Sequence, residues 1–261
     1  MFFFRKMTAS GNDFIVVDER VAEHKWSKES AQRLCDRRNG VGADQLLIIR
    51  QSSKADAKMI IYNADGSTAL QCGNGLRAIT KYILNGNNFG LTQLHIQTGH
   101  DAIHKCQKLS GDVFMVQLGW PALYNTEFSS PCPEKLRDPL HVSTGNHHLV
   151  LWTENVTELD IDRIGQEVQK QYPMGINVHF VQRINECEIC IRHWELGVGI
   201  TQSCGSGTVA AVFAGHQRGF LEDEILVRTA VEEMYVEKRS DGYYLTGRVA
   251  TIYDGCMKCQ P

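Results

Sequence analysis

The sequence predicts an α+β fold built from two similar halves. Three observations carry that expectation: a duplicated cysteine–glycine motif, duplicated asparagine and glutamate positions around it, and one order of helical and strand-like segments used twice. Gln71-Cys72-Gly73-Asn74-Gly75 recurs as Ser203-Cys204-Gly205-Ser206-Gly207, about 132 residues further on. Gly11-Asn12 before the apolar Phe14 to Val17 is matched by Gly145-Asn146 before Leu149 to Trp152. Gly42-Ala43-Asp44 before Leu46 to Ile49 is matched by Gly175-Ile176-Asn177 before His179 to Val181, and Tyr62-Asn63 by Trp194-Glu195. Matches in one order at nearly one spacing mark a duplication, where a single short match would mean little.

Each element follows from a local signal. Phe14 to Val17 is a β-branched, apolar run bounded by polar residues, as a strand requires. Ser27 can cap a helix that places Ala31, Leu34 and Cys35 on one face and stops at Asn39-Gly40. Leu46 to Ile49 and Met59 to Tyr62 read as strands. Behind Cys72-Gly73-Asn74-Gly75 a second helix begins, with Leu76, Ile79 and Ile83 in one stripe and Asn85-Gly86 as its stop. Val113 to Leu118 is the next strand, and a boundary is expected near Gly119-Trp120-Pro121 or within Thr126 to Pro133.

The second half repeats the scheme. His148 to Trp152 reads as a strand, and Asp160 can cap a helix with Ile161, Ile164 and Val168 on one face, ended near Pro173. Strands Val178 to Val181 and Cys190 to Trp194 follow. A helix behind Cys204-Gly205-Ser206-Gly207 turns Val209, Val212 and Phe213 to one side and closes at Arg218-Gly219. Met234 to Lys238 is a further strand.

Composition narrows the function. With 261 residues, 43% of them apolar and 22% charged, and a mean hydropathy of -0.27, the chain has an ordinary soluble globular profile. Its 27 basic and 30 acidic residues leave a net charge of -3, so no basic surplus points to nucleic acid or an anionic membrane. The uncharged run Leu196 to Gln217 is long enough to cross a bilayer. Its glycines, glutamines and hydroxyl residues make a poor lipid-facing surface, so no membrane span is expected. Met1 to Lys6 carries no secretory apolar core, and nine cysteines are an odd number. A reduced, cytoplasmic protein in which some cysteine is chemically employed is the expectation.

The chemistry centres on Cys72 and Cys204. Each precedes a Gly-x-Gly turn that opens a helix, where free backbone N–H groups and the helix dipole attract an anion. The same setting lowers a thiol pKa toward a usable thiolate. Two such units facing one cleft would hold a carboxylate by backbone donors with a sulfur on either side. Inverting a carbon α to a carboxylate requires taking a proton from one face and returning one to the other, which two opposed groups do without moving. Donors on the carboxylate stabilise the enolate-like charge that develops. A two-base racemase is therefore expected. Cys187-x-x-Cys190 and Cys256-x-x-Cys259 resemble zinc ligands, but Cys190 opens a strand-like run where residues three apart point to opposite faces, so no metal is expected. Cys35, Cys106 and Cys132 read as packing or surface residues.

These motifs together make the chain resemble the diaminopimelate epimerases, pyridoxal-independent enzymes of lysine and peptidoglycan precursor synthesis. The resemblance rests on Lys6-Met7 through Gly11-Asn12-Asp13-Phe14, Gly40-Val41-Gly42-Ala43-Asp44-Gln45, and Asn63-Ala64-Asp65-Gly66-Ser67 leading to Cys72-Gly73-Asn74-Gly75. It continues through Ser143-Thr144-Gly145-Asn146, Gly175-Ile176-Asn177, Glu195-Leu196-Gly197-Val198-Gly199 leading to Cys204-Gly205-Ser206-Gly207, and a closing segment from Gly247 to Gly255. It implies two pseudo-symmetric, duplicated α+β domains, each a mixed or antiparallel sheet wrapped on a central helix, with the active site in the interdomain cleft. The first domain would comprise residues 1–119 plus 247–261, the second 120–246. It further implies no cofactor or metal, a small amino-acid substrate and a homodimer. Cys72 and Cys204 would be the acid and base, and Gly73, Asn74, Gly205 and Ser206 would bind the reacting carboxylate. Asn12, Gln45, Asn63, Asn146, Asn177 and Glu195 would line the remaining pocket, while His148 and Glu195 would tune the thiols. His147 and His193 read as ordinary core histidines.

The match breaks at the far end of the substrate. The family's Glu-Arg-Gly-x-Gly-Glu-Thr is here Glu195-Leu196-Gly197-Val198-Gly199-Ile200-Thr201, so the arginine expected to hold the distal carboxylate is missing. His147 also replaces a proline after Asn146, Met174-Gly175-Ile176 replaces Glu-Arg-Val, and Arg248 replaces a proline after Gly247. Two outcomes stay open: a basic amino acid such as histidine, lysine or ornithine as substrate, or His147, Arg192 or Arg248 standing in for the arginine. A non-catalytic binder is disfavoured because both cysteines are present, and a redox or zinc protein by the strand geometry around Cys190.

Overall fold

The computed structural model describes residues 1–86, 90–124 and 135–257. Its backbone divides into two compact units, Met1–Gln117 with Gly247–Pro261, and Leu118–Thr246. The boundary considered at Thr126 to Pro133, together with Cys132 and Cys259, lies outside the described residues.

In the first unit β1 (Phe2–Ala9) and β2 (Asn12–Asp18) pair antiparallel. α1 (Lys28–Cys35) then carries the chain to β3 (Gln45–Arg50), which runs parallel to β2 and antiparallel to β4 (Ala57–Asn63). β4 takes the short β5 (Thr68–Ala69) antiparallel. After α2 (Gly73–Leu84) it takes β6 (Gln93–Gln97) in parallel, followed by antiparallel β7 (Ile103–Ser110) and β8 (Val113–Gly119).

The second unit uses the same order. β9 (Ala122–Leu123) pairs with β10 (Arg137–Ser143), which pairs antiparallel with β11 (His147–Thr153). α3 (Ile161–Gln169) leads to β12 (Asn177–Asn185), parallel to β11 and antiparallel to β13 (Glu188–Glu195). β13 takes β14 (Gly199–Thr201) antiparallel and, after α4 (Gly205–Gln217), β15 (Glu224–Arg228) in parallel. Antiparallel β16 (Glu233–Arg239) and β17 (Gly242–Arg248) follow. The final β18 (Ala250–Met257) belongs to the first unit and pairs with β1.

Strand register makes the duplication exact to the residue. Phe14 stands opposite Gln45 and Gln45 opposite Asn63; His148 stands opposite Asn177, and Val178 opposite Trp194 places Asn177 by Glu195. Asn12, Gln45 and Asn63 are thus the counterparts of Asn146, Asn177 and Glu195.

Local chemistry explains the elements. Ser27 and Ser30 form a reciprocal capping box on α1, which buries the Ala31, Leu34 and Cys35 face that the spacing predicts. Asp160 accepts the Arg163 N–H at the start of α3, which buries Ile164 and Val168. Where the sequence pattern predicts a single apolar stripe, α2 and α4 differ: α2 is buried from Gly73 to Lys81 and α4 from Gly207 to Gly215. Each helix touches strands on several sides, α2 meeting β1, β2, β3, β6 and β7, and α4 meeting β10, β11, β12 and β16. α4 accordingly carries no polar face, whereas the polar side of α2, formed by Asn74, Arg77, Thr80 and Lys81, is buried and hydrogen-bonded. Strands such as β18, mostly exposed, and β7, interrupted by His104-Lys105 and Gln107-Lys108, lack the apolar run that marks the others.

Candidate active site

In the first unit Cys72 is the N-cap of α2, and its sulfur accepts the Gly75 N–H at 3.3 Å. The residue is half-buried. Gly73 and Asn74 follow in the first turn, both buried. Asn74 Nδ2 donates to Asn12 Oδ1 at 2.8 Å, while its own oxygen accepts from the buried Arg77, which also reaches Ser10. The start of β2 is thereby tied to the start of α2. Asn12 Nδ2 in turn donates to Asp44 Oδ2 at 3.2 Å. Asp44 and Asp13 share Arg37, and Lys6 bonds Asp13 and the Gly42 carbonyl. Burial alone would raise the Asp13 carboxyl; hydrogen bonds from Arg37 and Lys6 outweigh it and hold the group well below the usual carboxylate range. Gln45 Nε2 donates to Asn63 Oδ1 at 2.9 Å, and Asn63 Nδ2 donates to Ser67. Five predicted residues of this half (Asn12, Gln45, Asn63, Gly73 and Asn74) therefore sit at the ends of β2, β3 and β4 or in the first turn of α2.

The second unit repeats the arrangement with different side chains. Cys204 caps α4 and is buried, with Ser206 Oγ 3.6 Å from its sulfur. The helix start leads one to expect a lowered thiol pKa, but burial first, and then the Glu195 carboxylate, push it well above 9. Ser206 and the Gly207 N–H oppose that rise without cancelling it. Cys204 is thus a neutral thiol here. Glu195 also accepts the Thr201 hydroxyl. Asn177 Nδ2 donates to the His147 carbonyl at 3.0 Å, and its Oδ1 accepts the Leu196 N–H at 3.1 Å. Asn146 Oδ1 lies 3.1 Å from Thr144 Oγ1 and 2.9 Å from His148 Nε2.

His148 is more than an isolated residue beside this turn. Its Nδ1 bonds His179, which bonds His193, and all three rings are buried. Sequence patterning missed His179 altogether and left His193 as packing; residues on separate strands show no motif. A signal existed in the duplication, since the counterparts of these residues in the first half are apolar. The ring of His179 lies under Gly207, where an added Cβ would come within 2.2 Å of its Cε1. Because two hydrogen bonds hold that ring, Gly207→Ala is expected to cost about 1–3 kcal/mol of stability. A lowered denaturant midpoint would record it; an unchanged midpoint would mean that the ring yields.

At the departures from the family pattern, Leu196 is half-exposed and packs over Gly175, where a Cβ would lie 2.5 Å from its Cδ1. His147 stacks on Tyr124 with ring centroids 4.5 Å apart. Arg192 donates to the Ile191 carbonyl, and Arg248 is exposed. Of the remaining cysteines, burial pushes Cys35 up to about 11 and Cys106 up to about 12, leaving them unreactive as nucleophiles. Cys187 is exposed and Cys190 half-buried on the β12–β13 hairpin. Among the described residues, no helix is long and apolar enough to cross a membrane.

The family model described as "Diaminopimelate epimerase" matches residues 4–110 and 140–252. The diaminopimelate epimerase of Carboxydothermus hydrogenoformans is 32% identical over 97% of this chain and 98% of its own length. That of Methanocella arvoryzae is 34% identical over 97% of this chain and 95% of its own length. Among solved structures, a probable proline racemase from Agrobacterium radiobacter K84 superposes with a TM-score of 0.76 at 15% identity. It covers all of this chain (100%) and 94% of that one, a likeness of fold.

Proposed function

Because the chain belongs to the diaminopimelate epimerase family, we propose that this isomerase inverts one α-carbon of diaminopimelate, from the LL to the meso form, with Cys72 and Cys204 as its two acid–base groups. The observation that supports this most is the pair of cysteine N-caps, each followed by glycine-containing first turns of a buried helix. Such turns offer backbone donors to a carboxylate and a sulfur beside it.

The thiol environments suggest a division of labour. Cys204, kept neutral by burial and by Glu195, is the proton donor in the state described. Cys72 then removes the α-proton, and in the reverse direction the roles exchange. The donors of Gly73-Asn74 and Gly205-Ser206 take up negative charge on the substrate carboxylate as it becomes enolate-like. Asn12, Gln45, Asn63, Asn146, Asn177 and Glu195 hold the rest of the molecule, and His148 acts through Asn146. A cytoplasmic homodimer working without a cofactor accompanies this reading.

Leu196 argues for a basic amino acid, but the curated relatives that match nearly the whole chain are diaminopimelate epimerases, and they favour diaminopimelate. Solvent-deuterium exchange at the α-carbon, run without pyridoxal phosphate over a panel of amino acids, tests the choice. Exchange with LL- or meso-diaminopimelate and none with histidine, lysine or ornithine is expected. The opposite pattern would overturn the substrate and leave the reaction type intact.

A further inference from the structure

Three imidazoles are joined end to end, and the middle one, His179, lies beneath Gly207 in the first turn of α4. His148 Nδ1 lies 2.7 Å from His179 Nε2, and His179 Nδ1 lies 2.9 Å from His193 Nδ1. Relative exposure is 0%, 0% and 1% along the chain. At one end His148 Nε2 is 2.9 Å from Asn146 Oδ1 and from Thr144 Oγ1. At the other end His193 Nε2 is buried and has no partner among the described residues.

The duplication supplies an internal control. By strand register, the counterparts of His148, His179 and His193 in the first unit are Phe14, Leu47 and Ile61, all buried. The packing is equivalent too: Gly75 of α2 sits on Leu47 as Gly207 of α4 sits on His179. This fold therefore needs no imidazole at any of the three places. Burying polar rings costs stability unless they are bonded, so the second half carries a feature that packing does not explain.

The dead end at His193 sets the direction of the protons. A neutral imidazole has one N–H and one bare nitrogen. If His193 carried its proton on Nε2, a buried N–H would have no acceptor, a situation native structures avoid more strictly than an idle lone pair. The proton is then on His193 Nδ1 and is donated to His179 Nδ1. His179 must donate from Nε2 to His148 Nδ1, and His148 must donate from Nε2. Positive charge is disfavoured throughout, since the rings are desolvated, Arg192 is adjacent and the positive end of α4 lies above His179.

We propose that His179 and His193 are positioning residues for Asn146: the one-way imidazole chain makes His148 a permanent Nε2–H donor to Asn146 Oδ1, so the Asn146 amide keeps its Nδ2 turned outward as a donor to substrate. This rests on the reading of Asn146 as a substrate contact. The lone pair of His148 Nδ1 is consumed by His179, which closes the route by which His148 would take up a second proton. An imidazole that accepts at one nitrogen is also a stronger donor at the other.

The test combines spectroscopy and kinetics. Two-bond ¹H–¹⁵N spectra of histidine-labelled enzyme at pH 7.5, assigned by single substitutions, should show His148 and His179 protonated at Nε2 and His193 at Nδ1. His179→Leu, which installs the first-half residue, should raise KM about tenfold while kcat stays within about twofold. His179→Gln, whose amide N–H still reaches His148 Nδ1, should bring KM back to within about threefold of the parent. A His148 proton on Nδ1, an unchanged KM in His179→Leu, or no recovery with Gln would each overturn the proposal. If the parent enzyme inverts no amino acid, the proposed function fails, while the spectra still decide the imidazole chain by themselves.

Discussion

Cys72→Ala and Cys204→Ala are each expected to lower the rate of α-carbon inversion on the order of a thousandfold, the contribution of one positioned acid or base. The fold should survive both changes. Cys72 is half-exposed at a helix cap, and alanine at the buried Cys204 removes a single sulfur atom from the cap of α4. The informative readout is the split between exchange and inversion. A variant with one thiol left can still remove and return a proton on a single face, so solvent deuterium enters one isomer without converting it to the other. A single mobile base would lose both processes together when its residue was removed and neither when the other was. Full turnover by either alanine variant would refute the two-thiol account.

The second large effect is on acid stability. Burial, with help from neighbouring His147, His148 and Arg192, depresses His148 and His193 from 6.5 to about 3, and His179 falls in the same direction. A base depressed in the folded state binds fewer protons folded than unfolded between the two pKa values, so stability rises with pH across that window. The stabilisation is whole above about pH 6.5 and is lost progressively as pH falls toward 3. At pH 5, His148 and His193 alone imply about 4 kcal/mol less unfolding free energy than at pH 7.5. Equilibrium urea unfolding at the two pH values measures the difference. The triple variant His148→Phe, His179→Leu, His193→Ile should lose most of it, retaining the smaller part due to His104, His141 and His216, which are lowered too. Equal stability of the parent at both pH values would show that the buried imidazoles are charged or hydrated.

Much of the site was legible in the linear chain because its parts are local. The Cys72 and Cys204 motifs combine a helix start, a glycine turn and a thiol within five residues, so chemistry and backbone geometry are written side by side. Asn12 and Asn146 were legible through the glycine beside each and the apolar run after it. Their partners were not. Asn12 meets Asn74 and Asp44, and Arg37 binds both Asp13 and Asp44, through strand and helix packing that no short spacing encodes. The expectation of low thiol pKa values followed from the helix start alone, and at Cys204 burial and Glu195 reversed it.

By itself, the sequence determined the duplication, the α+β class, the two helix-capping thiols and the family, since these depend on covalent order and short-range periodicity. Tertiary structure alone decided which helices are surrounded, where each asparagine points, and that His148, His179 and His193 form one buried line across three strands. The physical reason is range. Caps, turns and strand alternation act over a few residues, whereas desolvation and hydrogen-bond direction are set by neighbours that arrive from distant parts of the chain.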